Sequence, residues 1–193
     1  FSLDALRQFT AQLPVTYPNL MMLFETEETQ CDLSFLVGIK SLIIKELSRC
    51  PLTIPTSVVN LDLQGATDVS VSGTDNVTHL DTVEGNTIAP CPKLQEFHWE
   101  GTTFSAAMVP TSDMSRLSAL CITADAVDPS FSIPTRLTTL EVNVKDASFD
   151  LARIPTSLIE CAVSPKADCS FAAFTELTRF GLWMTTPVRL TFP

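Results

Sequence analysis

The stretch IPTSVVNLDL, residues 54–63, has two near copies in the chain, IPTRLTTLEV at 133–142 and IPTSLIECAV at 154–163. Each copy sets Ile-Pro-Thr ahead of an apolar alternation, the pattern of a short strand with one buried face. Proline suits a bend before a strand, because its φ is fixed and its missing N–H is needed by no ladder bond there. Ile54, Ile133 and Ile154 would plug the corner just before that bend. A module of this size cannot bury its apolar side alone, so repetition implies stacking.

Aligning apolar-x-x-apolar-x-apolar segments gives nine in series, starting at Leu20, Ile39, Val58, Val77, Leu94, Leu117, Leu137, Leu158 and Leu177, with spacings of 19, 19, 19, 17, 23, 20, 21 and 19 residues. The second position is Leu23, Leu42, Leu61, Leu80, Phe97, Leu120, Leu140, Cys161 or Phe180. The third is Ile44, Leu63, Trp99, Ile122, Val142, Val163 or Leu182, with exceptions at Glu25 and Thr82. Alternation places both on one strand face. A further apolar station follows each start by 13 or 14 residues: Leu33, Leu52, Val71, Cys91, Met108, Phe131, Leu151 and Phe171. A coil of about 20 residues holds one strand and a return too short for a full helix, so the return is expected to be extended or a 3₁₀ turn. Strands stacked at ~4.8 Å then build one parallel sheet.

From Pro18 onward this series resembles the leucine-rich repeats, and the Ile-Pro-x-x-Leu start resembles the short repeat types of some bacterial and protist proteins. The resemblance implies an α/β solenoid: a right-handed stack of about nine coils, one parallel sheet on the concave face and short 3₁₀ or extended segments on the convex face. The asparagine ladder of that family is missing; its positions read Glu28, Leu47, Ala66, Gly85, Thr102, Asp125, Lys145, Lys166 and Thr185. A parallel β-helix of another kind is the alternative. Leu3, Leu6, Phe9 and Leu13 recur at helical spacing behind Ser2, so residues 1–17 are expected to form an N-terminal cap helix and 18–193 the solenoid.

An apolar share of 45% over 193 residues argues for a continuous core. The longest uncharged apolar runs, such as Leu33–Ile39, are too short to cross a bilayer, and Asp4 and Arg7 stand where a signal peptide would be apolar. The chain begins at Phe1 and not Met, which points to a processed form or a fragment. With 22 acidic against 12 basic residues the net charge is -10, which argues against nucleic acid and anionic lipid as partners. The six cysteines form no C-x-x-C pair, so free thiols in a reducing compartment, the cytoplasm first, are expected. Cys31, Cys50 and Cys169 each follow a coil start by eleven residues, which would stack Cys31 on Cys50 within reach of a disulfide.

Ligands of leucine-rich repeats tend to lie on the concave sheet, so the side chains pointing outward from it are the candidates. The middle and later coils offer Asn60, Asp62, His79, Asp81, Glu96, His98, Glu100, Glu141 and Glu160, with Lys45 and Arg179 as the only bases, toward the ends. Such an acidic strip would attract a protein with a basic surface. His79, Asp81, Glu96 and His98 also have the chemistry for a divalent metal, but they lack any recognised ligand spacing and are read as solvated or partner-contacting residues. Met22, Phe24, Ile43 and Trp183 are outward apolar residues near the ends, and Trp183 is a candidate for self-association. No G-x-S-x-G, H-E-x-x-H, P-loop or dinucleotide fingerprint occurs. The expectation is a non-enzymatic protein-binding scaffold without cofactor or membrane insertion; the alternative is a regulatory or targeting segment of a larger enzyme or effector.

Overall fold

The computed structural model describes residues 18–23, 30–145, 154–163, 169–170, 172–182 and 189–191. The chain forms two compact units, Phe1–Leu94 with Pro110–Ser112 and Gln95–Val109 with Asp113–Pro193. Strands of the first unit are β1 (Asn19–Leu23), β2 (Cys31–Asp32), β3 (Ser41–Ser48), β4 (Pro51–Thr53), β5 (Asn60–Thr67), β6 (Ser70–Ser72), β7 (His79–Val83) and β8 (Thr87–Ile88). The odd-numbered strands pair in chain order as one parallel sheet and the even-numbered strands as a second. In the second unit β9 (Glu96–Phe104), β10 (Ala119–Val127), β11 (Thr139–Val144), β12 (Glu160–Val163) and β14 (Arg179–Leu182) pair in that order, all parallel, while β13 (Cys169–Ser170) pairs with β15 (Leu190–Thr191).

Each unit is therefore a β-solenoid of stacked parallel strands, which corrects the leucine-rich-repeat reading and the α/β class that it implied. The return segments are themselves sheet-forming, and the described residues contain no α-helix. The physical reason lies in the returns: Leu52-Thr53 and Val71-Ser72 alternate inward apolar with outward hydroxyl residues, a strand pattern that laterally aligned copies pair readily. Short 3₁₀ turns occur only at Ala106–Met108 and Met114–Arg116 among the described residues, within the longest repeat. The expected cap helix lies outside the described residues.

The Ile-Pro-Thr module is a corner. Ile54 is buried, its N–H donates to the Ser72 carbonyl at 3.0 Å, and the Pro55 carbonyl accepts from Val58 N–H at 3.1 Å to close a turn. The same turn recurs as Thr74 to Val77, Cys91 to Leu94, Met114 to Leu117, Pro134 to Leu137 and Phe174 to Leu177. Proline is thus one solution at a station that other coils fill otherwise. Thr74, 2% exposed, satisfies its hydroxyl by donating to the Ala89 and Pro90 carbonyls at 3.1 and 3.0 Å.

Inward positions of the long sheets are buried as expected: Leu42, Leu61, Leu80, Ile44 and Leu63 in the first unit, and Phe97, Leu120, Leu140, Cys161, Trp99, Ile122, Val142 and Val163 in the second. Laterally, Leu42, Leu61 and Leu80 form one file, and Phe97, Leu120, Leu140, Cys161 and Phe180 another. The second unit also buries an aromatic group. Phe104 lies 5.4 Å from Trp99, 5.0 Å edge-on from Phe131 and 6.4 Å from Phe97 between ring centroids.

Backbone groups that an asparagine ladder would serve are served by other means. In the second unit Thr138 and Thr178 hydroxyls donate to the Ser118 and Ile159 carbonyls of the preceding coil at 3.1 and 3.2 Å, and Ser118 to Gln95 at 3.1 Å. In the first unit two asparagines do this: the Asn86 amide donates to the Ala66 carbonyl at 3.0 Å while its oxygen accepts from Val69 N–H at 3.1 Å, and the Asn76 amide donates to the Thr56 carbonyl at 2.8 Å. The Asn86 amide also reaches Thr82, which explains a buried threonine at an otherwise apolar station.

Candidate protein-binding surface

The first coil departs from the alignment. Leu20 pairs with Leu42 and Met22 with Ile44, so the strand stands three residues away from the register that would match Leu23 to Leu42. Leu23 and Met21 consequently point outward, 55% and 66% exposed, and Met22 is not an outward residue. The shift also moves Cys31, which pairs with Leu52 and not with Cys50; both thiols are buried and neither is in a disulfide. Met108, expected in the far wall, is 41% exposed, and its neighbour Val109 is buried in its place.

In the first unit the outward residues of β3, β5 and β7 form lateral rows. Ser41, Asn60 and His79 make one row; Met21, Ile43, Asp62 and Asp81 make the next. His79 Nδ1 stands 2.7 Å from the Thr78 hydroxyl. Lys45 Nζ lies 3.6 Å from Asp62, with 33% and 26% of the two side chains exposed. Beyond a register irregularity between β3 and β5 Lys45 aligns with Gly65, and its stem crosses that glycine, where a Cβ would meet Lys45 Cδ at 2.5 Å.

In the second unit Glu96, Ala119, Thr139, Glu160 and Arg179 form one row, His98, Cys121, Glu141, Ala162 and Gly181 the next, and Glu100, Thr123 and Asn143 a third. Arg179 Nη1 pairs with Glu160 at 3.0 Å. Lys45 and Arg179, the two bases expected on the outward face, are thus each paired with one of its acids, Asp62 and Glu160. Arg179 and Glu160 stand at equal distances from their coil starts, so this pair was legible by alignment. The Lys45–Asp62 pair was not, because the two residues stand at different distances from their coil starts, Ile39 and Val58.

Asn60, Asp62, His79 and Asp81 belong to the first unit, and Glu96, His98, Glu100, Glu141 and Glu160 to the second. Trp183 and Phe24 lie outside the described residues. No group of three or more His, Cys, Asp or Glu is placed to hold a metal ion among the described residues. No helix among them is long and apolar enough to cross a membrane. Cys31, Cys50, Cys91, Cys121 and Cys161 form no disulfide, and all but Cys121 are buried. Burial raises the Cys91 thiol to about 11. Comparison with protein-family models, with curated proteins and with solved structures finds no match to the chain.

Proposed function

We propose that the protein is a non-catalytic scaffold that docks a partner protein on the outward faces of its long sheets, with the acidic side chains meeting a basic surface. The observation that carries this reading is the row geometry of the second unit. Glu96, Glu100 and Glu141 project from strands whose opposite side chains, Phe97, Trp99 and Val142, are each at most 2% exposed, so the carboxylates stand on a rigid backing. Fixed, laterally spaced charges favour encounter with a complementary surface and weaken with salt. The absence of disulfides among the described cysteines supports a reducing compartment.

The test uses the native chain and a Glu96→Lys/Glu141→Lys variant as paired baits. Partners recovered by the native chain should associate more slowly with the variant, and the difference should shrink as salt is added. Equal association rates for every recovered partner overturn the reading.

A further inference from the structure

One lateral row of the first unit changes character along its length. Met21, Ile43, Asp62 and Asp81 sit on four adjacent parallel strands, so the row runs from two apolar side chains to two carboxylates. Leu23, 55% exposed and beside Lys45, widens the apolar end, where Met21 is 66% exposed. Strands spaced by ~4.8 Å put the centre of the apolar pair about 10 Å from the centre of the acidic pair. The acidic end already holds a cation, since Lys45 Nζ stands 3.6 Å from Asp62. These are the halves of an amphipathic recognition surface: apolar anchors that bury on docking, and charges that orient what docks.

We infer that this row is the docking site for an amphipathic segment of a partner protein, one that seats an aliphatic side chain on Met21, Leu23 and Ile43 and a basic side chain over Asp62 and Asp81. A helix laid across the strands meets this spacing with residues seven apart, which lie about 10.5 Å from each other along the axis. The basic residue of the partner displaces Lys45 from Asp62. This rests on the reading of the sheet faces as an interface and adds to it the chemistry of the partner.

The test is fluorescence anisotropy on the full chain with a synthetic helical peptide carrying a leucine pair and a lysine pair seven residues apart on one face. Two control peptides keep only the leucines or only the lysines. The two-feature peptide should bind about ten-fold more tightly than either control. Met21→Ser/Leu23→Ser and Asp62→Asn/Asp81→Asn should each abolish that advantage while circular dichroism and the melting temperature show an intact fold. Equal binding of the two-feature peptide and either control overturns the inference. If the lysine-only peptide binds equally well and responds to Glu96→Lys but not to Met21→Ser, the sheet-face reading stands and this assignment falls. A mass that rises with concentration in sedimentation velocity, and falls in Met21→Ser, assigns the row to a second copy and also overturns it.

Discussion

At φ +85°, Gly73 fills a position that no other residue suits, because an added Cβ would stand 2.5 Å from the Ile54 carbonyl oxygen. Gly73→Ala should cost more than about 1 kcal/mol in a urea titration, since both the left-handed backbone and the contact oppose it. The corner between the two sheets of the first unit uses the same region of backbone: Arg49 and Asp68 have φ of 53° and 55°, and Gly85, placed against Asp68, has 93°. Arg49→Gly should therefore stabilise the chain, by up to about 1 kcal/mol, as the side-chain penalty is removed. Cys91 gives a pH signature. Burial holds its thiol neutral up to about 11 against 9.0 in the unfolded chain, so its contribution is fully present below pH 9.0 and is lost as pH rises through that interval. Comparing the native chain with Cys91→Ala between those limits should show the native chain losing stability more steeply, by up to about 1.4 kcal/mol per pH unit.

Among the elements, the long strands were legible because a period of two over four to nine residues needs only the apolar pattern, and Leu42, Leu61, Leu80, Phe97 and Leu120 occupy the inward stations it predicts. The first coil was not, because NLMML offers apolar residues in both registers and pairing chose between them. The second sheet was hidden for a similar reason: strands of two or three residues carry too little periodicity to tell from an extended return. Ser118, Thr138 and Thr178 share one station, each directly after a coil start at Leu117, Leu137 or Leu177, but the carbonyl that each hydroxyl reaches in the preceding coil follows only from the lateral alignment. Thr138→Val should cost about 1 kcal/mol, the worth of one such bond, while keeping the side-chain shape. Phe104→Ala, which empties the centre of the aromatic group, should cost about 3–5 kcal/mol by calorimetry or denaturant unfolding.

For the whole molecule, stacking makes stability a matter of neighbouring coils, so a core truncation should act first on the coils it touches. Leu61→Ala should accelerate amide exchange in β3, β5 and β7 before β10, β11 and β12, and Leu120→Ala should do the reverse. The outward faces show less legibility than the core. Alternation assigned Asp62, Asp81, Glu96, Glu141 and Lys45 to the surface, but the exposure of Met21 and Leu23 depended on how the first coil pairs, and the contact of Lys45 with Asp62 on side-chain reach between unequal stations. The central claim is that successive coils lie in parallel register within each unit. Methyl-selective nuclear Overhauser spectroscopy tests it most directly: contacts of Leu61 with both Leu42 and Leu80, and of Leu42 with Leu20, are expected, and contacts of Leu42 with Leu23, or none between Leu61 and Leu80, would contradict it.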